Sequence, residues 1–408
     1  MPLLFKVFVV CAIVLAAQSL FSLRDGYRFL AYLRRSLRAP RSLYNPPATV
    51  IVAVKGLDEG FERNLEQMLA QDYPDYDLVF SVASESDPAY PFLALRLRAH
   101  APRQDCGLHE AKVVIAGYAS GRGEKVNNLL AALRQRPRAT PVLVFADADA
   151  RMKSDWLRSL VAPLHDPAVT VSTGFRWYLP GRSGASRLRA AWDTSIATML
   201  GDHRRNFAWG GSMAVRSADF DGMQVAERYW SASVSDDYGL TRAVRDAGGW
   251  IRFEPRCLVT SAEEIGFKNL LRWTNRQIIV TRVYAAHYWR RGLASYTLFC
   301  GTFLLGLAAI LAPGLAIERP LAAAVLVSIL VLGSVKARLR SRVAELIFPE
   351  EADLLQERGS CYWRWWPLVP WLMLFNLVIA GVTNRIEWRG VRYELVSPHE
   401  VRVQRQDE

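Results

Sequence analysis

Apolar residues in this chain fall into two regimes, long unbroken runs at the two ends and short alternating runs between them. The first long run, "LLFKVFVVCAIVLAAQSLF" (Leu3 to Phe21), carries only Lys6 as a charge and is long enough for a bilayer span. A cleaved signal peptide is the competing reading. The run is long for such a core, however, and no A-x-A-like site follows, so a retained anchor is expected. A second apolar block, from about Ala294 to Val335, is interrupted by "APGLAIERP" (Ala312 to Pro320), which reads as a turn between two spans. The last run, "WPLVPWLMLFNLVIAGVT" (Trp366 to Thr383), is also long enough to cross. Its two prolines and Trp-rich start leave a full span and a re-entrant or surface element both open.

Between residues 45 and 290 the pattern changes. "PPATVIVAVKG" has a turn, a β-branched run and a glycine, the marks of a strand. "NLEQMLAQ" has helical spacing, "DYPDY" is a turn, and "YDLVFSVAS" is a second strand. "KVNNLLAALRQ" then reads as a helix before the strand "PVLVFADAD". Strands alternating with helices predict an α/β domain with a mostly parallel sheet and a ligand site at the strands' carboxyl ends.

Composition adds compartment and topology. The chain has 408 residues, of which 51% are apolar, enough for a sizeable core. Its cysteines (11, 106, 257, 300 and 361) are scattered without a CxxC pair, which argues against a disulfide framework or structural zinc. The net charge of +12 is concentrated beside apolar runs: Arg24, Arg28, Arg34, Arg35, Arg38 and Arg41 after the first, Lys336, Arg338, Arg340 and Arg342 after the third. By the positive-inside rule both flanks, and the polar middle between them, are cytoplasmic. Basic residues hugging spans speak for topology and anionic lipid rather than nucleic acid, and no nucleic-acid partner is expected.

The candidate chemistry begins at "VLVFADADAR" (Val142 to Arg151), where a buried-looking strand ends in Asp147 and Asp149. At i, i+2 spacing both carboxylates address one side if the extended backbone continues. A lone DxD is common on solvated strand ends. Two adjacent carboxylates are also hard oxygen ligands suited to Mg²⁺ or Mn²⁺. Such a cation would neutralise a diphosphate leaving group.

The ordered set "VKGLD", "QDYPDYDLVFSVASESDPAY", "EKVNNLLAAL", "FADADAR", "GGSMAVR", "SDDYGLTRAVRDAG" and "NLLRW" resembles the ceramide glucosyltransferases, family 21 of the glycosyltransferases. The resemblance covers roughly residues 45 to 290, and the flanking spans follow the family layout. It implies a GT-A (Rossmann-like) fold, a UDP-sugar donor, a divalent cation and inversion at the anomeric carbon. It puts the metal aspartates on Asp147 and Asp149, the catalytic base on Asp237 beside Asp236, and the Q/R-x-x-R-W signature on Asn269, Arg272 and Trp273. Two positions depart from the family. Ser84 stands where the first aspartate is usual, with Glu85 and Asp87 nearby to take over the uracil contact, and Asn269 replaces Gln or Arg. "STGFRWYLP" (Ser172 to Pro180) looks more like bacterial lipid glycosyltransferases.

On this reading Asp236 raises the proton affinity of Asp237 where both are partly buried, and the pair also begins the helix "YGLTRAVRDAG". Arg272 pairs with diphosphate and Trp273 walls the acceptor site, while "FKNLLRWTNRQIIVTRVY" also suits an amphipathic helix at the membrane interface. Lys55, Lys125, Asn128, Gly210 and Gly211 complete the donor-binding set. Lys125 is equally readable as a solvated helix start, and the two glycines as a tight turn.

The expected organisation is an anchor (1–23), a basic linker (24–44), a GT-A domain (45–268), an interface helix (269–293), two spans (294–337), a cytoplasmic linker (338–365), a spanning or re-entrant helix (366–383) and a tail (384–408). The expected protein is an integral membrane enzyme, in the inner (cytoplasmic) membrane of a bacterium, that glucosylates a lipid acceptor, ceramide first. Another lipid or UDP-sugar with the same chemistry is the nearest alternative. A non-catalytic nucleotide-sugar-binding scaffold is the alternative of a different class.

Overall fold

The computed structural model describes residues 3–99, 107–312 and 318–405. Cys106 and residues 313–317 of the expected inter-span turn lie outside the described residues. The chain divides into two compact units, one of Met1–Arg34, Tyr178–Met199 and Ala262–Thr383, the other of Arg35–Trp177, Leu200–Ser261 and Asn384–Glu408.

The second unit is built on β1 (Ala48–Ala53), β2 (Tyr76–Val82), β3 (Leu108–Ile115), β4 (Val142–Asp147), β5 (Val169–Tyr178), β6 (Ser212–Arg216) and β7 (Trp250–Ser261). They form one sheet in the order β3-β2-β1-β4-β6-β5-β7. β3, β2, β1 and β4 are parallel, and β6 runs antiparallel to β4 and β5. The expected strands and helices of the first half are present, with helices at Phe61–Leu69 and Glu124–Arg134. β3 was not legible because its burial is interrupted by exposed His109 and Glu110.

Period-two alternation explains the two-faced core. Val50, Val52, Leu78, Phe80, Val142 and Val144 belong to one apolar cluster, and Ile51, Val79, Leu143, Phe145, Met213 and Val215 to the other. Both faces are therefore covered, as a parallel sheet requires. On the second face Phe145 meets Trp230 edge-on at 5.0 Å and Phe220 at 5.8 Å. In register, Ala53 of β1 pairs with Asp147 of β4, so the first acidic residue stands where the parallel strands end.

The sequence predicts no element in the 384–408 tail. It folds as β8 (Arg385–Trp388), β9 (Val391–Ser397) and β10 (Glu400–Arg405), a separate antiparallel sheet. Alternation of buried Val391, Tyr393 and Leu395 with exposed Arg392 gives this sheet one inward face. It belongs to the same unit as the large sheet.

The other unit holds the apolar helices. Leu3–Arg38, Ala286–Leu311 and Glu318–Ile347 are long and apolar enough to cross a membrane. Phe5, Phe8, Ala12 and Leu15 of the first pack with Ala309, Ala322, Leu326 and Ile329 of the others. The basic stretch read as a linker is helical as far as Arg38, because arginine, leucine and alanine continue a helix readily. Trp366–Val382 is a shorter apolar helix, Pro370 falling within its opening residues.

Candidate active site

The site is best built from β4 outward. The strand ends at Asp147, and a turn closed by the Ala150 N–H on the Asp147 carbonyl (3.3 Å) follows. The extended backbone that would bring Asp149 alongside Asp147 therefore stops one residue too soon. Both carboxylates still converge, because each reaches Arg176 on β5. The Nη2 of Arg176 donates to Asp147 Oδ2 at 3.0 Å and to Asp149 Oδ1 at 2.6 Å, and Nη1 donates to Asp149 Oδ2 at 2.9 Å. One cationic nitrogen thus sits between the two acids. The guanidinium lies 5.3 Å from the Trp209 ring centre.

A second cation comes from the helix Glu124–Arg134. Lys125 Nζ lies 2.8 Å from Asp147 Oδ1, 3.0 Å from Asp236 Oδ2 and 3.3 Å from the Gly210 carbonyl. Lys125 is thus an internal ion-pair partner rather than a solvated helix start. Burial alone would depress its proton affinity, but Asp147 and Asp236 raise it above the ordinary lysine value. Gly210 and Gly211 follow from this crowding. A Cβ on Gly210 would strike Asp236 and Lys125, and one on Gly211 would strike Trp209 and Asp147.

The carboxyls respond to their different surroundings. For Asp149, the charge and hydrogen bonds of Arg176 outweigh burial and hold it below the ordinary carboxylate range. For Asp236, burial raises the carboxyl to about 6; Lys125 opposes this, while Asp237 and Asp147 add to it. Asp236 and Asp237 open the helix Asp236–Asp246, capped by the Ser235 hydroxyl, which accepts from the Tyr238 N–H at 3.2 Å. Asp237 is half-buried; its Oδ1 accepts from the Tyr238 N–H at 2.7 Å and from the Ser235 hydroxyl. The helix cap and the base role expected of Asp237 are thus compatible.

The remaining donor positions are placed as follows. Lys55 pairs with Glu124 at 2.7 Å, one residue before Lys125. Asn128 donates to the carbonyls of Val54 (3.5 Å) and Ser81 (3.3 Å), tying together the chain just beyond β1 and the end of β2. Asp87 accepts from the Gly56 N–H (2.9 and 3.2 Å) and the Ala89 N–H (2.9 Å), so its carboxylate ties its own loop to the one that follows β1. Glu85 is exposed beside Ser84, whose hydroxyl is 2.8 Å from that of Ser86.

The signature residues lie in the other unit, on the helix Phe267–Tyr284. Asn269 and Arg272 are exposed. Trp273 packs edge-on against Tyr178 (5.4 Å) and Trp192 (5.2 Å), and the buried Arg189 stacks on Tyr178 at 4.1 Å. The indole thus fixes its helix within an aromatic cluster.

Arg176, the common partner of the acidic pair, was missed in sequence. A signal existed: it is the one charged residue in the otherwise apolar or small-polar strand "VTVSTGFRWY". A buried arginine in such a strand calls for buried carboxylates.

With this geometry in place, similarity to known proteins becomes informative. The model of Glycosyl transferase family 21 matches residues 5–401. The chain belongs to that family. It is a glycosyltransferase, and its mostly parallel sheet is the GT-A arrangement. A curated relative, ceramide glucosyltransferase 1 of Caenorhabditis elegans, is 26% identical over 129 residues, covering 31% of this chain and 26% of the relative. A solved structure of a mannosyltransferase from Pyrobaculum calidifontis, in complex with GDP-Man and Mn²⁺, is 20% identical with a TM-score of 0.48, covering 92% of this chain and 98% of that one. TarS residues 1–349 of S. aureus with UDP-GlcNAc is 12% identical with a TM-score of 0.36, covering 88% of this chain and all (100%) of that one.

Proposed function

We propose that this family 21 enzyme transfers glucose from UDP-glucose to the hydroxyl of a membrane lipid, ceramide first, with inversion. The observation that carries the reading is the convergence of Asp147 and Asp149 on one cationic nitrogen at the end of β4, with the Asp236–Asp237 pair linked to it through Lys125. Donors of a nucleoside diphosphate sugar present two negative phosphates. A site with buried lysine and arginine, and carboxylates able to take a metal, suits that charge.

The acidic pair fits a divalent cation by its donor set. Two carboxylates that already share one nitrogen can share an ion of oxygen preference, Mg²⁺ or Mn²⁺. Among the described residues no group of three or more His, Cys, Asp or Glu forms a full metal cage. Asp147 and Asp149 would hold such an ion, with donor oxygens or water as its other ligands. When bound, the ion neutralises charge on the leaving diphosphate.

The chain's own residues do the rest. Asp237 takes the proton of the acceptor hydroxyl as the oxygen attacks the anomeric carbon and the bond to diphosphate breaks. Asp236 and Lys125 hold the helix start that positions Asp237. Arg272 offers an exposed guanidinium fork suited to phosphate and Trp273 an aromatic face suited to a lipid, and the acceptor enters from the bilayer flanking the apolar helices. We place the protein in the cytoplasmic membrane of a bacterium with its catalytic domain inward, a reading supported by the three long apolar helices and the basic residues that follow the first and third apolar runs.

Purified full-length protein in detergent, given labelled UDP-glucose, UDP-galactose, UDP-GlcNAc or GDP-mannose with ceramide, diacylglycerol or phosphatidylinositol, tests this. Glucosylceramide as the main product is expected. Transfer to another lipid or from another sugar replaces the substrate assignment, and absence of transfer with every pair refutes the reading.

A further inference from the structure

The tail sheet brings a second arginine to the same site. β8 and β9 pair Trp388 with Val391, leaving Arg389 and Gly390 as a two-residue hairpin loop. Both have positive φ, 49° and 78°. Such loops favour Asn-Gly, and an arginine in the left-handed region is strained. Strain of that kind persists where the surroundings hold it and often marks function.

The surroundings do hold it. Arg389 donates bidentately to Asp58, Nη1 to Oδ1 at 3.0 Å and Nη2 to Oδ2 at 2.6 Å, and Nη1 also donates to the Lys55 carbonyl at 2.9 Å. On the same tail sheet, the Tyr393 hydroxyl accepts from the Glu124 N–H at 3.2 Å, the residue preceding Lys125. The tail therefore docks at two points beside the acidic site. The charge of Arg389 also acts through space on Asp149 and Asp147.

Resting on the nucleotide-sugar reading above, we propose that the carboxyl-terminal hairpin is part of the donor site and that Arg389 binds the donor's diphosphate. Its side chain is 40% exposed although pinned by Asp58, so the guanidinium fork is within reach of an incoming anion. A diphosphate offers the same planar pair of oxygens that Asp58 offers, with more charge. Exchange of Asp58 for phosphate would fasten the hairpin over the bound nucleotide without moving the large sheet.

The test uses the full-length protein in detergent with Mg²⁺, titrated calorimetrically with UDP and, separately, with inorganic pyrophosphate. Arg389→Asn removes the cation but suits the left-handed turn, so its unfolding temperature without ligand stays at or above wild type. Its affinity for both probes is expected to fall about tenfold, the scale of one charge-assisted hydrogen bond. Arg389→Lys, which keeps the charge without the fork, should fall between. Should Arg389→Asn lower the unfolding temperature, Arg389→Lys at wild-type stability decides. Unchanged affinity in the variant that folds overturns the inference. Wild-type binding of pyrophosphate but not UDP refutes the nucleotide reading alone, provided the variants still weaken pyrophosphate. Wild-type binding of neither overturns both.

Discussion

Replacing Lys125 with methionine keeps the bulk of the side chain and removes its charge. In the native protein the ammonium lies 2.8 Å from Asp147 and 3.0 Å from Asp236. At an effective dielectric of roughly 20, each contact is attractive by about 5–6 kcal/mol before desolvation is subtracted. Asp147 retains Arg176, so the cost falls on Asp236, which is buried. Breaking such a buried pair from one side costs about 3–5 kcal/mol. For a domain of this size that lowers the unfolding temperature by about 10 °C. Thermal unfolding of the full chain in detergent, followed by tryptophan fluorescence, reads this directly. The decisive comparison is Lys125→Met with Asp236→Asn, which removes the stranded charge and should gain more stability in the Lys125→Met background than in the wild type. A double variant as unstable as the sum of the two singles would refute the claim that Lys125 is held by a charge pair.

Other expectations are more direct. In the metal-free protein, burial gives Asp236 a folded-state value of about 6 against an ordinary 3.8, so its unfavourable contribution to stability develops as pH rises through that window. Asp236→Asn should therefore gain stability relative to wild type between about pH 4 and pH 6; a flat difference between the two across that range would count against the burial argument. Glu264 is a case of the opposite sign: although partial desolvation of this exposed side chain works against it, hydrogen bonds from the Arg182 and Ser183 N–H groups and the Ser186 hydroxyl hold it at about 2. The stabilisation is present above pH 4.5 and is lost as pH falls toward 2, so Glu264→Gln should unfold at lower temperature than wild type at pH 7, with the gap closing in acid. Asp237→Asn should lower kcat by about 10²–10⁴-fold with little change in unfolding temperature. Full activity in that variant would remove Asp237 as the base.

Which parts of this site could be read from the chain follows from the range of the interactions. The acidic pair was legible because an apolar strand running into two carboxylates is a local pattern, and so were the strand–helix alternation and the Asp236–Asp237 helix start. Arg176 was not, because its partnership with Asp149 spans 27 positions and depends on how β5 and β4 lie in the sheet. Lys125 was placed near the donor, but its burial between Asp147 and Asp236 is a product of packing that no spacing reports. Arg389 was the most distant case: Asp58 lies 331 positions away, and only folding of the tail brings them together. Asp87 illustrates the converse. The resemblance offers Glu85 or Asp87 for the uracil contact, and only folding shows that the Asp87 carboxylate also accepts from the backbone N–H groups of Gly56 and Ala89.

The central claim is that Asp147 and Asp149 hold a cation against a nucleoside diphosphate. Equilibrium binding of Mn²⁺, measured by electron paramagnetic resonance with and without UDP in the wild type and in Asp147→Asn/Asp149→Asn, tests it most directly. Mn²⁺ should bind the wild type, more tightly with UDP present, and lose at least about a hundredfold in affinity in the double variant. Equal Mn²⁺ binding by the two proteins in the presence of UDP would contradict the account.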